Sequence, residues 1–419
     1  MTEPVPVTDP VPPSVSHGLV RRVLAFAGLP FLSLVTPFLF LPILARVAGA
    51  DAWLAIAVGQ SVGGFFALAV ALGYNTVGPA LVALTAAGER PAVLLGSLRA
   101  RLIVFVPSAI LAATIAAFVV PAGYGLVGAL MSLATVLSGL SSAWYMIGLG
   151  RAGLIAVFEI LPRMLATIAA AVLLVYSSVL WYPVLLLFAS VASILGFAIW
   201  TVGVRGLGRR LDTPLRQIFI FNRSAVATEL ASGAYNSLAV TFVGLTATTA
   251  QAARYVVGDK LYRIGQYSVS ALGNALQGWV VEHDRAWFAA RAKRSFLLHA
   301  GLGLLGLLGF SLLGPRLSEL LFGERVAIDQ VAAIGFGFAT LFIALGTTLG
   351  RVTLVGLGAR REFMTSVFIG AAVGIPALLI LSSHFGAAGG AWGLASGEFA
   401  SVTSQSIFLR RAWTRFTRS

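Results

Sequence analysis

The chain has 419 residues, 58% of them hydrophobic and only 11% charged, with 46 glycines and a mean hydropathy of +0.93. Soluble globular proteins do not carry that composition, and the lack of cysteine excludes disulfides, thiol chemistry and thiolate metal sites. The formal charge of +14 does not point to nucleic acid, because the basic residues are scattered through short segments and form no single surface or binding motif; topology signals and contacts with anionic membrane lipids account for them.

Thr2 to Ser16 is rich in proline, valine and acidic residues and reads as part of a disordered cytoplasmic tail, residues 1–22. It is not a secretory signal, since the apolar run after Arg21-Arg22 exceeds the roughly 7 to 15 residues of a signal core. Apolar segments of about 20 residues then recur to the C-terminus, the signature of a polytopic bundle of transmembrane helices and not of an alternating-strand barrel.

About twelve spans are predicted, each roughly 20 residues long. In order they are Val23 to Ala45, Ala52 to Gly73, Leu102 to Val120, Gly125 to Met146, Gly153 to Val175, Leu180 to Val202, Ser224 to Leu245, Ala250 to Val280, Phe296 to Leu313, Val331 to Gly356, Met364 to Ser383, and Ala387 to Leu409. An apolar extension, Tyr74 to Ala87, follows the second span, and the eighth is unusually long. Placing the N-terminus inside puts Arg90, Arg99, Arg101, the Arg205 to Arg223 group, the Arg285 to Arg294 group and the C-terminal arginines on one side. Only Arg46, Arg316 and Arg325 fall on the other. That asymmetry implies an even number of spans with both termini cytoplasmic. Arg351 lies near the cytoplasmic end of the tenth span, where it can snorkel.

The basic connector, residues 205–216, divides the chain into an N-lobe of six spans, 23–204, and a C-lobe of six, 217–409, followed by a basic tail, 410–419. Val58-Gly59-Gln60 in the second span aligns with Val257-Gly258-Asp259 in the eighth, which suggests a parallel repeat with a cavity between the halves. Gly59, Gly63, Gly64, Ser311 and Gly314 fit close helix contacts. Trp53, Trp181, Trp200 and Trp287 read as interfacial anchors.

Four short motifs carry a resemblance. They are Gly73-Tyr74-Asn75, Ala143-Trp144-Tyr145-Met146-Ile147-Gly148-Leu149, Tyr235-Asn236-Ser237-Leu238, and Tyr262-Arg263. In order and spacing, from about Val23 onward, the chain resembles the polysaccharide (O-antigen type) flippases of the multidrug/oligosaccharidyl-lipid/polysaccharide exporter superfamily. One departure is Asn75, followed by Thr76-Val77-Gly78-Pro79, where family members often carry a more polar, charged segment. The resemblance implies an all-α bundle of about twelve helices in two six-helix lobes around a central cavity. It further implies undecaprenyl-diphosphate-linked oligosaccharide as substrate, and polysaccharide-assembly proteins as membrane partners.

No nucleophile elbow, phosphate loop or extramembrane catalytic domain is present, so an enzyme is not expected. His17, His283, His299 and His384 lack metal-ligand spacing, so neither a metal nor another cofactor is expected. The chemistry to explain is passage of an anionic headgroup through hydrocarbon, which needs cations, polar groups to replace water, and alternating access. Buried charge is costly in a membrane, and each such residue is a functional candidate.

In the fifth span Glu159 and Arg163 stand one helical turn apart, and in the eighth Asp259 and Arg263 do the same. Counting at about 1.5 Å per residue from opposite ends puts both sets near mid-membrane, at one level. Each pair can simply neutralise itself in helix packing, but Arg254, Lys260 and Arg263 outnumber Asp259, so excess charge remains for an anion. Arg163, Lys260, Arg263 and Arg254 are therefore the candidate substrate cations, with snorkelling to the outer interface as the alternative for Arg254. Asn236, Asn274 and Gln277 are candidates for sugar hydroxyls, with interhelical hydrogen bonding as their alternative. Glu159, Asp259, Glu229 and Glu398 are the candidates for counter-ion or H+ or Na+ coupling roles; for Glu229 and Glu398 a bond to a nearby Ser, Thr or Arg223 is the structural alternative. A cation-coupled multidrug exporter would want an acidic, aromatic cavity, and a polysaccharide polymerase would want a large outer loop, whereas Gly314 to Gln330 is too short to fold alone.

Overall fold

The computed structural model describes residues 41–206, 208, 214–281 and 285–418, and the regular structure among them is entirely helical. Hydrocarbon offers no water to backbone amides and carbonyls, so apolar runs of this length close their hydrogen bonds internally. The helices are α1 (Gly49–Ala71), α2 (Tyr74–Leu84), α3 (Arg90–Val119), α4 (Gly125–Val136), α5 (Ala143–Gly148), α6 (Ala152–Ile155), α7 (Leu161–Tyr176), α8 (Trp181–Gly206), α9 (Leu215–Thr246), α10 (Thr249–Val281), α11 (Arg285–Phe322), α12 (Gln330–Gly346) and α13 (Arg360–Arg418). A 3-10 turn, Leu137–Leu140, extends α4; π turns at Ala156–Ile160 and Thr347–Leu354 precede α7 and follow α12.

Eight stretches among the described residues are long and apolar enough to cross a membrane, against the twelve spans expected. The first expected span lies mostly outside the described residues. The seventh and eighth correspond to α9 and α10, which carry ionisable residues along their length. The eleventh and twelfth are joined in α13, 59 residues long with a non-helical Gly386 at φ 57. That element folds back on itself: a Cβ on Gly389 would meet Leu381 O, on Gly393 Leu378 Cα, and on Gly370 Gly397 O. The extension after the second span is set off by a kink, Leu72 at φ 51 and Gly73 at φ 73, and α2 restarts beyond it.

Glycine contacts give helix directions. Gly59 faces Gly128 and Met131, Gly63 faces Ser132, and Gly139 faces Ala67, so α1 and α4 run parallel. Gly128 packs on Val120, and α3 runs antiparallel to both. In the second half Gly258 faces Phe336 and Gly265 faces Thr340, making α10 and α12 parallel, while Gly303 and Gly314 set α11 antiparallel to α12. The same three-helix arrangement occurs in both halves. Gly64, expected to seat a helix, instead has open space around it and borders a cavity.

The halves meet along α1. Ser61 Oγ donates to Ser237 O at 2.5 Å and accepts from Thr241 Oγ1 at 2.7 Å, and Trp53 Nε1 donates to Ala253 O at 3.0 Å. Trp53 is fully buried against Phe322, which corrects its expected place as an interfacial anchor; the indole N–H finds a carbonyl rather than headgroup water. Trp181, Trp200 and Trp287 are exposed.

Candidate functional site

The local geometry around Glu159 follows from one proline. Pro162, in the first turn of α7, has no N–H and its ring crowds the carbonyl four residues back, Phe158 O. The chain widens there into a π turn, and the freed carbonyl accepts a hydrogen bond from Ser193 Oγ on α8. Glu159, inside that turn, is buried; its Oε1 accepts from Ser141 Oγ at 2.6 Å and from Ser142 N at 3.2 Å, and its Oε2 lies 3.6 Å from Arg163 Nη2.

On α10, which packs against α1 and α12, Arg263 Nε donates to Asp259 Oδ2 at 2.8 Å and Nη2 to Asn236 O at 3.1 Å. Lys260, one residue further round the helix, donates from Nζ to the neutral Oε1 of Gln60 at 2.7 Å and forms no ion pair among the described residues.

These groups share one cavity of about 550 Å³, bounded by Gln60 and Asn75, by Thr135, Ser138 and Ser141, by Glu159, Arg163, Tyr182 and Ser190, and by Lys260, Arg263 and Tyr267. Among the described residues, three cations and a single carboxylate line it. Asp259 stands behind Arg263, on a smaller adjoining cavity of about 170 Å³ that also touches Gln60, Ser61 and Lys260. In a medium of low effective dielectric, an excess of like charge at such range strongly favours an anion.

A second cavity, of about 520 Å³, lies within the second half. Asn236, Ser270, Thr347, Arg351, Glu398, Ser401 and Gln405 border it. Arg351, in the π turn after α12, reaches Asn274 Oδ1 and the cavity; it does not snorkel away from the bundle as expected. Glu398 makes no hydrogen bond or ion pair among the described residues.

The remaining candidates are placed elsewhere. Glu229 accepts a hydrogen bond from Thr76 Oγ1 at 2.6 Å, joining α9 to α2. Arg254 and Gln277 border neither large cavity, and Arg254 Nε is buried without a partner among the described residues. Asn274 is engaged by Arg351. His17 and His283 lie outside the described residues, and His299 is buried beside Ser295.

The sequence did not single out Gln60 as a partner of Lys260, and it misplaced Arg101. Expected among the cytoplasmic connector charges, Arg101 is 1% exposed within α3. Its guanidinium lies 5.6 Å from the ring centres of both Tyr74 and Trp144, which themselves approach to 4.7 Å. The motif residues Tyr74 and Trp144 thus enclose a buried cation. Gly78 lets α2 lie directly on Trp144, and Gly148 lets α5 lie on Pro79 and Val82. The motif around Asn236 supplies backbone acceptors, Asn236 O to Arg263 and Ser237 O to Ser61.

The chain matches no family model and no curated protein. Among solved structures it is similar to "Lipid II flippase MurJ, inward closed conformation", with a TM-score of 0.75 at 10% identity, over 94% of this chain and 90% of that one. It is also similar to an inward-facing multidrug resistance MATE family transporter of the MOP superfamily, with a TM-score of 0.66 at 15% identity over 95% and 98% of the two chains. An outward-facing conformation of a MATE family transporter gives a TM-score of 0.60 at 15% identity over 96% of each chain. The chain has the all-helical fold shared by these MurJ and MATE transporters.

Proposed function

We propose that the protein is a flippase of the cytoplasmic membrane that moves a lipid-diphosphate-linked oligosaccharide, a polysaccharide repeat unit, by alternating access. The observation that carries this reading is the cavity in which Arg163, Lys260 and Arg263 face a single wall carboxylate, Glu159. A diphosphate satisfies such a set through charge-assisted hydrogen bonds, and the guanidinium forks of Arg163 and Arg263 suit phosphate oxygens. Ser138, Ser190, Thr135 and Tyr267 offer hydroxyls to the first sugar. The lipid tail remains in the bilayer, where its transfer costs nothing. Rocking of the halves about α1, α9 and α10 then exposes the headgroup on the other side. One structural neighbour is a lipid II flippase, and a lipid-linked substrate of that kind accords with the basic cavity.

Energy for release enters through Glu398 in this reading, as the site of a coupled H+ or Na+. Glu159 and Asp259 are already engaged by arginines, whereas Glu398 faces the second cavity without a bond partner among the described residues. Assembly proteins that build the polysaccharide are the membrane partners this activity requires.

The alternative, export of organic cations as in the multidrug transporters of the same fold, would bring a cation against a wall of three cations and one carboxylate. The deciding experiment is translocation of lipid-linked oligosaccharide in cells carrying Lys260→Ala plus Arg263→Ala. Loss of translocation at normal protein level, with dye efflux unchanged, is expected. Unimpaired translocation overturns the reading.

A further inference from the structure

Arg101 is a buried cation that the transport reading does not use, and its contacts lead to the cavity wall. Its Nη1 donates to Gly139 O at 3.1 Å and to Ser141 O at 2.8 Å, its Nε to Ser97 O at 3.3 Å, and its Nη2 to Ser97 Oγ at 3.2 Å. Gly139 and Ser141 stand at the end of the 3-10 turn, where backbone carbonyls have no partner further along the helix. Arg101 closes both with one guanidinium, whose geometry provides paired donors in a plane. No carboxylate lies within ion-pair range of it among the described residues.

The corner that Arg101 holds is the one that holds Glu159. Ser141 gives its carbonyl to Arg101 and its hydroxyl to Glu159, while Ser142 gives its backbone N–H to the same carboxylate oxygen. The other oxygen of Glu159 faces Arg163. Along this line a cation, a carboxylate and a cation alternate, with the first sealed under Tyr74 and Trp144 and the last open to the cavity. Arg101 itself is bonded to carbonyls and a hydroxyl, and Arg163 is the cation that faces Glu159.

We propose that Arg101 is a positioning residue for the anion site: it fixes the Ser141-Ser142 corner, the corner fixes Glu159, and Glu159 aims Arg163 into the cavity. This rests on the reading of that cavity as a phosphate-binding site.

The test is binding of inorganic pyrophosphate to the full chain in lipid nanodiscs, by titration calorimetry at low salt, with thermal melting as the control for folding. Arg101→Gln is expected to weaken binding about tenfold in the wild-type background but less than about twofold in the Glu159→Gln background, since residues acting through a shared partner are not additive. Arg101→Lys keeps the charge, but three donors on one nitrogen cannot reproduce four bonds spread over Nε, Nη1 and Nη2, and binding stays weak. A folded Arg101→Gln with wild-type affinity, an equal loss in both backgrounds, or full rescue by Arg101→Lys overturns the proposal. Should Arg101→Gln fail to fold, Ser141→Ala removes the hydroxyl that ties the corner to Glu159 while keeping the carbonyl bound by Arg101; weakened binding supports the relay from corner to Glu159 and wild-type affinity overturns it. Pyrophosphate affinity unchanged by Arg163→Ala instead overturns the phosphate site on which the proposal rests.

Discussion

Lys260 on α10 donates to Gln60 on α1 at 2.7 Å, so the cation of one half is held by a neutral amide of the other. An amide satisfies a proton on the ammonium without cancelling its charge, which leaves Lys260 attractive to an anion. A carboxylate at position 60 would cancel it.

Gln60→Glu is therefore expected to cut translocation by at least about tenfold while leaving the protein as thermostable as the wild type, since a partly buried pair gains Coulomb energy where the amide gave only one hydrogen bond. Lys260→Arg keeps the charge and is expected to retain activity better than Lys260→Met. Wild-type transport by Gln60→Glu, measured as labelled headgroup reaching the outer face, would refute the role of Lys260.

Asp259 is almost fully buried behind Arg263, with side-chain exposures of 4% and 30%. Asp259→Asn removes the counter-charge and leaves the arginine in a desolvated place, at a cost of about 3 kcal/mol. The expected result is a clearly lower Tm in nanodiscs, partly recovered when Arg263→Gln is added. An unchanged Tm would show that water or lipid headgroups already neutralise Arg263.

Glycines separate packing from cavity lining. A Cβ on Gly258 would lie 2.0 Å from Phe336, and one on Gly78 2.3 Å from Trp144, whereas nothing lies within 4 Å of Gly64. Gly258→Ala and Gly78→Ala should each cost about 1–3 kcal/mol through overpacking. Gly64→Ala should melt as the wild type does. Equal melting of all three variants would contradict these helix contacts.

Ser61 and Thr241 join the halves with hydroxyls 2.7 Å apart, and the chain carries no cysteine of its own. Ser61→Cys plus Thr241→Cys therefore gives a clean crosslinking pair. Oxidation should arrest translocation if the halves separate here during transport, and reduction should restore it. A crosslinked protein at full rate would place the moving interface elsewhere.

The positions of the charges were legible in the chain because a membrane makes them rare. Glu159 with Arg163, and Asp259 with Arg263, follow from helical spacing alone, and counting rise per residue brought both to the same depth. The structure places Arg163, Lys260 and Arg263 on one cavity. Arg254 is near them in sequence, but a helix turns about 100° per residue, and this side chain borders neither large cavity.

What the sequence determined was the one-dimensional part: an all-helical membrane chain, the two acid–arginine pairs one helical turn apart, and glycines of close approach such as Gly59 and Gly63. Hydropathy and periodicity contain that information because each helix satisfies its backbone internally, whatever its neighbours are. Tertiary structure decided the partners. Arg101 and Trp53 stand near helix ends in sequence, where water or headgroups would serve them, yet each is buried because a distant carbonyl accepts its proton: Ser141 O for one, Ala253 O for the other. Gln60 became the partner of Lys260 in the same way, across 200 residues. Hydrogen bonding between helices depends on which faces meet, and no local pattern in the chain specifies that.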